Sequence, residues 1–263
     1  MLRIPPEVQT PRGASELKLS AELKHHYDHY YDGESEWRRL GAIDKAKNVI
    51  RACEMTPHRR VLDIGAGDGA LVNELGSRGF AEEYYALEVS ESAVEIMRRK
   101  GLPDLKEATL FDGYTIPYED FRFDLAIMSH VLEHVEHPRL LLKEAGRVAQ
   151  HVFVEVPLED TLRSPSNFHF THTGHINFYS YKGIRRLVQS TGFEIVRQGV
   201  VNPSFETLKF RTGRKSLITY PIREGFLRFA PRIARSLFVY HCYLLARRIS
   251  GSERASNDAD LSG

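Results

Sequence analysis

The chain has 263 residues, 42% of them apolar and 27% charged, which is enough for one substantial globular domain with additions and short for two full ones. Its 36 basic residues balance 35 acidic ones, so no net field favours nucleic acid as a partner. Two cysteines far apart in sequence, Cys53 and Cys242, argue against a disulfide framework or a cysteine zinc site and suit a reducing compartment.

In chain order, residues 1–15 hold three prolines and little periodicity, and read as a loose tail. From 15 to about 52 apolar residues recur at helical spacing (Leu17, Leu23, Trp37, Leu40, Ile43, Val49). The aromatic stretch carrying Tyr27, Tyr30 and Tyr31 lies within this region, and a helix there is expected to fold over a ligand cleft. At Arg59 the texture changes to alternating strands and helices. Strands are expected at 60–64, 84–88, 108–111, 123–128, 152–156 and 193–200, with helices at 70–75, from Ser90 or Ser92 to Arg99, from Pro138, and at 181–190. Glu95 completes a capping box if Ser92 is the cap. Such alternation argues for a mostly parallel sheet covered on both faces by helices. The connection after Pro157 runs for about 20 residues, longer than a simple link requires.

The central signal is Asp63-Ile64-Gly65-Ala66-Gly67-Asp68-Gly69. Glycines directly after a buried strand let the backbone turn tightly and approach a ligand. The same residues also satisfy the dinucleotide pattern G-x-G-x-x-A, so a hydride-transferring oxidoreductase is one reading. Charge separates the readings. A pyrophosphate wants a helix N-terminus free of carboxylates, whereas Asp63 and Asp68 flank and occupy this turn and suit the ammonium of an amino acid. Glu88, ending the second strand, is placed to bond ribose hydroxyls, and Asp112, behind Phe111, to accept from an adenine amino group.

Residues 59–200 resemble a class I S-adenosylmethionine-dependent methyltransferase. The glycine turn resembles that family's first motif, Glu88 its ribose-binding acid and Phe111-Asp112 its adenine contact. Phe123-Asp124-Leu125-Ala126-Ile127-Met128-Ser129-His130-Val131-Leu132-Glu133-His134-Val135 resembles its fourth-strand motif. The resemblance implies an α/β three-layer sandwich on a mostly parallel seven-stranded sheet, with S-adenosyl-L-methionine as cofactor. Its contacts would come from Asp63, Gly65, Ala66, Gly67, Glu88, Val89, Phe111 and Asp112, with Ser129 and His130 beside the methionine portion. The chain then divides into a tail and helical cap (1–55), the cofactor-binding domain (56–212), and a C-terminal amphipathic helical arm with a polar tail (213–263).

Twelve histidines are many for this length. His169, His172 and His175 share the long connection, which would cover the open end of the sheet and set the choice of acceptor. His175, in a Gly-His-x-x-Phe-Tyr segment that resembles related small-molecule methyltransferases, is a candidate base, as is His134 four residues after His130. No metal is expected, because nothing fixes the loop as a helix and hard cations prefer carboxylates. The arm at 222–249 interleaves arginines with Phe226, Phe229, Leu237, Phe238 and Tyr240. It reads as one or two packed helices broken at Pro231, or as a basic surface for membrane or protein contact. No stretch reaches the roughly 20 apolar residues of a membrane span and no signal peptide is recognisable. A cytoplasmic protein, at most peripheral to the membrane, is therefore expected. The function that follows is methyl transfer to a hydroxyl of a small molecule or glycan. N-methylation, protein methylation and a noncatalytic cofactor-binding scaffold are the alternatives.

Overall fold

In the computed structural model the described residues are 35–164, 167 and 174–249. The expected contributions of Tyr27, Tyr30, Tyr31, His169 and His172 lie outside them. After helix α1 (Ser35–Cys53) the chain forms β1 (Arg60–Ile64), α2 (Ala70–Gly76), β2 (Glu83–Glu88), α3 (Glu91–Lys100), β3 (Leu105–Leu110) and β4 (Phe123–Ser129). Then follow α4 (Pro138–Val148), β5 (Ala149–Pro157), α5 (Tyr181–Gln189), β6 (Phe193–Val201), α6 (Phe205–Thr212), α7 (Ser216–Phe229), α8 (Pro231–Leu237) and β7 (His241–Arg248).

The seven strands lie in the order β3-β2-β1-β4-β5-β7-β6. Strands β1 to β5 are mutually parallel, while β7 runs antiparallel to both β5 and β6. Alternate residues of each strand feed opposite faces, as the period of two requires. Leu62, Ile64, Val152, Val154 and Leu244 pack with α4 and α5, whereas Val61, Phe153, Tyr243 and Leu245 pack with α1 and α2. Met97 and Val94 of α3 cover Ala86 and Ala108. Burial on both faces explains why the strands are near-continuous apolar runs.

Local signals set the element ends. Ser90, not Ser92, caps α3, its side chain accepting from the Ala93 N–H, and Gly101 ends the helix at φ 59°. Pro138 opens α4 at its first turn. The C-terminal arm departs from expectation. Residues 241–248 form a strand inserted between β5 and β6, not a continuation of helix. Cys242, Leu244 and Ala246 face one layer and Tyr243 and Leu245 the other, so an apolar run read as helical fills two cores. Helices α6 to α8 therefore form an insertion between two paired strands. No helix among the described residues is long and apolar enough to cross a membrane.

Candidate active site

Strand order reverses at β1, with β2 on one side and β4 on the other. A crevice at the carboxyl ends of strands flanking such a reversal is where open α/β sheets bind ligands. A cavity of about 830 Å³ occupies it.

One wall is the turn after β1. Gly65, Gly67 and Gly69 have φ of 72°, 59° and 78°, a region that side chains disfavour. A Cβ on Gly65 would also stand 2.7 Å from Val131 Cγ2. Glu88, buried at the end of β2, holds this turn. Its Oε2 accepts from the Gly67 N–H at 2.7 Å, and its Oε1 accepts from the N–H groups of Val89 at 2.7 Å and Ser90 at 3.1 Å. Burial pushes the Glu88 carboxyl up, against the pull of these three donors. Oε2 keeps a further lone pair for a ligand hydroxyl.

Asp63 is 3% exposed, and its Oδ2 has no hydrogen-bond partner among the described residues. Burial pushes its carboxyl up to about 7, with Lys45 opposing and Glu88 reinforcing the rise. Asp68 differs. It is already paired with Arg38 at 3.2 Å and Lys100 at 3.0 Å, and although burial pushes its carboxyl up, these cations outweigh it and hold the group low. Of the two carboxylates expected to serve an ammonium, only Asp63 has an uncommitted oxygen. Phe111 and Gly113 line the cavity, but Asp112 between them does not. Its Oδ1 accepts from the N–H groups of Tyr114 at 2.8 Å and Thr115 at 2.6 Å. One oxygen of the carboxylate expected to face an adenine thus closes its own turn, as aspartates in such turns do.

Ala66, Val89, Ser129 and His130 all line the cavity. Ser129 Oγ donates to Glu155 Oε2 at 2.8 Å. His130 adopts φ 60°, uncommon outside glycine, and its ring lies 4.5 Å from that of His241. Burial pushes both imidazoles well below their ordinary range, so both are neutral.

A second polar group shares the cavity. The rings of His134 and His175 lie 4.8 Å apart. His175 Nδ1 is 2.6 Å from Glu159 Oε2, and His134 Nδ1 is 3.2 Å from the Gly174 carbonyl. These residues meet because the backbone after Gly174 is stitched to the turn after β4. The Glu133 carbonyl accepts from Ile176 and Asn177 N–H groups at 2.8 and 3.0 Å, and Asn177 Nδ2 donates to the Leu132 and Val135 carbonyls. Burial pushes the His134 imidazole down to about 4. For His175 burial is the largest influence and acts downward, but the bond to Glu159 together with the charges of Glu133 and Glu159 outweighs it and the imidazole is raised.

The remaining walls include residues that no motif marked: Lys45 and Trp37 of α1, Thr207, Phe210 and Arg211 of α6, Glu159, and His241. Asp44 joins the two helices, its Oδ2 accepting from Ser204 N–H at 2.9 Å and Thr207 Oγ1 at 2.8 Å. Position after β5 was a usable signal for Glu159. For the others there was none.

Residues 24–198 match a family model described as a methyltransferase domain. The chain belongs to the class I S-adenosylmethionine-dependent methyltransferases. The methyltransferase is 27% identical over 166 residues to a ubiquinone biosynthesis O-methyltransferase of Hahella chejuensis, covering 61% of this chain and 66% of that one. It is 32% identical over 198 residues to an uncharacterized 37.1 kDa protein in transposon TN4556 of Streptomyces fradiae, covering 72% of this chain and 54% of that one. It thus spans just under two thirds of the first relative and about half of the second. In fold it is similar to phosphoethanolamine N-methyltransferase 2 of Haemonchus contortus, solved in complex with S-adenosyl-L-methionine. The TM-score is 0.62 at 14% identity, with 88% of this chain and 61% of that one covered.

Family membership decides against the dinucleotide reading of the glycine turn, and S-adenosylmethionine is the cofactor. The residues of the methyltransferase suit it. An orphaned carboxylate oxygen on Asp63 matches an ammonium, Glu88 Oε2 has a lone pair for a ribose hydroxyl, and the glycine turn presents backbone without side chains.

Proposed function

We propose that this methyltransferase transfers the methyl group of S-adenosylmethionine to a hydroxyl of a small molecule or glycan, and that His134 and His175 activate that hydroxyl. One observation carries the reading: His175, oriented by Glu159, stands with His134 in the same cavity as the glycine turn and Glu88. A sugar or alcohol hydroxyl is a poor nucleophile at neutral pH and gains from a group that draws off its proton. An amine or a phenol needs less help. The likeness to a ubiquinone biosynthesis O-methyltransferase supports an oxygen acceptor.

When bound, the cofactor supplies an already activated sulfonium methyl group. The chain then has to align an acceptor and deal with its proton. In this reading Asp63 takes the cofactor ammonium and Glu88 a ribose hydroxyl. Gly65, Ala66 and Gly67 offer backbone, Val89 and Phe111 flank the adenine, and Ser129 and His130 lie along the methionine portion. Thr207, Phe210 and Arg211 wall the acceptor side.

S-adenosylhomocysteine is expected to raise the melting temperature, adding about 2.7 kcal/mol of stability at a hundred times its Kd. A screen with labelled cofactor then identifies a hydroxyl acceptor. His175→Ala lowers the maximal rate of that reaction by about 10²–10⁴ and leaves S-adenosylhomocysteine affinity unchanged. Transfer confined to amines, or full turnover in the variant, would overturn the reading.

A further inference from the structure

We infer that Glu133, His134 and His175 form a binding site for a divalent transition-metal ion, on which the acceptor is held through two neighbouring oxygens. The choice of acceptor rests on the hydroxyl-transfer reading above; the ion does not.

Each of the three side chains offers a ligand atom within 4.8 Å of the others. Ligand atoms around an ion at about 2.1 Å stand roughly 3–3.5 Å apart, so closing the site takes a rotation of these side chains toward one another. Glu133 supplies the independent observation. It is 0% exposed, and apart from its own backbone N–H neither carboxylate oxygen has a hydrogen-bond partner among the described residues. His130 Nδ1 comes within 3.0 Å of Oε1 without forming a hydrogen bond. An ionised carboxylate buried in this way costs several kcal/mol, and a divalent cation offsets that cost.

The histidines are prepared in the manner that metal ligands usually are. A carbonyl only accepts, so His134 Nδ1 carries a proton toward Gly174 and its ligand atom is Nε2. His175 Nδ1 faces the Glu159 carboxylate, which likewise leaves Nε2 as ligand. A carboxylate or carbonyl behind the imidazole fixes its orientation and raises its basicity toward a metal. A second trio, His130, Glu155 and His241, has similar spacing. There, however, Glu155 is already engaged, Oε1 by Asn48 at 2.7 Å and Oε2 by Ser129 at 2.8 Å. The first trio holds the uncommitted carboxylate.

Two imidazoles and one carboxylate favour a transition metal over magnesium or calcium, which prefer all-oxygen ligands. Three protein ligands leave coordination positions open, and His134 and His175 both face the cavity. Two adjacent open positions match an acceptor with vicinal oxygens, such as a diol, a catechol or a hydroxy-ketone. A hydroxyl held beside a divalent cation loses its proton to solvent more readily. Its oxygen then takes the methyl group as the S–CH3 bond breaks, and the bonding pair stays on sulfur.

The probe is Co2+ added to chelator-treated full-length protein, followed by visible absorbance and by metal content. One cobalt per chain with a ligand-field band is expected. Glu133→Gln and His175→Ala should weaken it at least a hundredfold, and Glu159→Gln about ten- to a hundredfold. Each variant is first checked for an unchanged melting temperature in chelator. Glu159→Gln, outside the ligand set, serves if a ligand variant fails to fold. His241→Ala should leave cobalt affinity intact; loss there with retention in His175→Ala would place the ion in the other trio and overturn the assignment. Absence of cobalt binding, with turnover still lost in His175→Ala, would overturn the metal and leave hydroxyl transfer standing.

Discussion

Asp63 shows what burial does to one residue beside a ligand. In the ligand-free chain its carboxyl titrates near 7 because it is removed from water, with Lys45 only partly compensating. An ammonium binds the ionised form, so below that value binding must expel a proton. Affinity for S-adenosylhomocysteine is therefore expected to rise by about tenfold or more between pH 5 and 7, while the ligand amine stays protonated, and then to level off. Asp63→Asn should flatten that dependence and weaken binding at pH 7. Calorimetry in buffers of different ionisation enthalpy reads the proton directly, and no proton release near pH 6 would place the ammonium elsewhere. The sign for stability is opposite. A carboxyl raised by folding keeps its proton where the unfolded chain has lost it, so its contribution is present in acid and is lost as pH rises toward 7. The ligand-free protein should thus lose stability over this interval, whereas the saturated protein, whose Asp63 is ionised as in the unfolded chain, should stay level.

Among the elements, α1 and α6 form a joint that no single segment specifies. Asp44 on α1 accepts from the Ser204 N–H and the Thr207 hydroxyl, and Ser204 in turn caps α6 by accepting from the Thr207 N–H. The Arg211 guanidinium lies 5.7 Å from the Trp37 ring centroid across the same joint. Loss of the shared acceptor leaves a part-buried N–H and the proton of the Thr207 hydroxyl without an acceptor, though that hydroxyl still accepts from Ser204 Oγ. Asp44→Ala is therefore expected to destabilise the protein by about 1–3 kcal/mol and to raise the acceptor KM, with S-adenosylhomocysteine affinity unchanged. Equal damage to both affinities, measured by calorimetry and steady-state kinetics, would put α6 against the cofactor and not the acceptor.

At the scale of the whole molecule, the C-terminal segment is two things at once. Helices α7 and α8 carry exposed apolar residues, among them Leu217 at 63% and Phe229 at 83%, whereas Leu244 of β7 is 0% exposed. The insertion is bounded by two paired strands, so the sheet closes only when the last strand slides between β5 and β6. Leu244→Ala should cost about 2–5 kcal/mol by leaving a cavity in the core. Leu217→Ala should fall within about 0.5 kcal/mol of the parent. Denaturant titration of the two variants decides this, and a mild effect at Leu244 would mean that β7 is an ornament to a six-stranded sheet.

What the sequence determined by itself was whatever neighbouring residues decide. Strand β1, the glycine turn, Glu88 at a strand end, a serine cap at Ser90 or Ser92 and the Pro138 helix start were all legible. Their causes are period, steric freedom and capping chemistry within a few residues. The tertiary structure alone decided the rest. An apolar run such as Tyr240 to Ala246 suits a buried strand or a buried helix equally, and only the gap between β5 and β6 selects the strand. Asp112 has the expected residue type in the expected place, and only the folded chain shows that its Oδ1 closes the turn. Glu133 lay inside a motif readable from the sequence, but its neighbours come from a segment more than forty residues downstream that folds back to bring His175 beside His134 and Glu159. Burial, orphaned lone pairs and shifted protonation belong to the packed assembly, because they are set by which distant groups exclude water from one another.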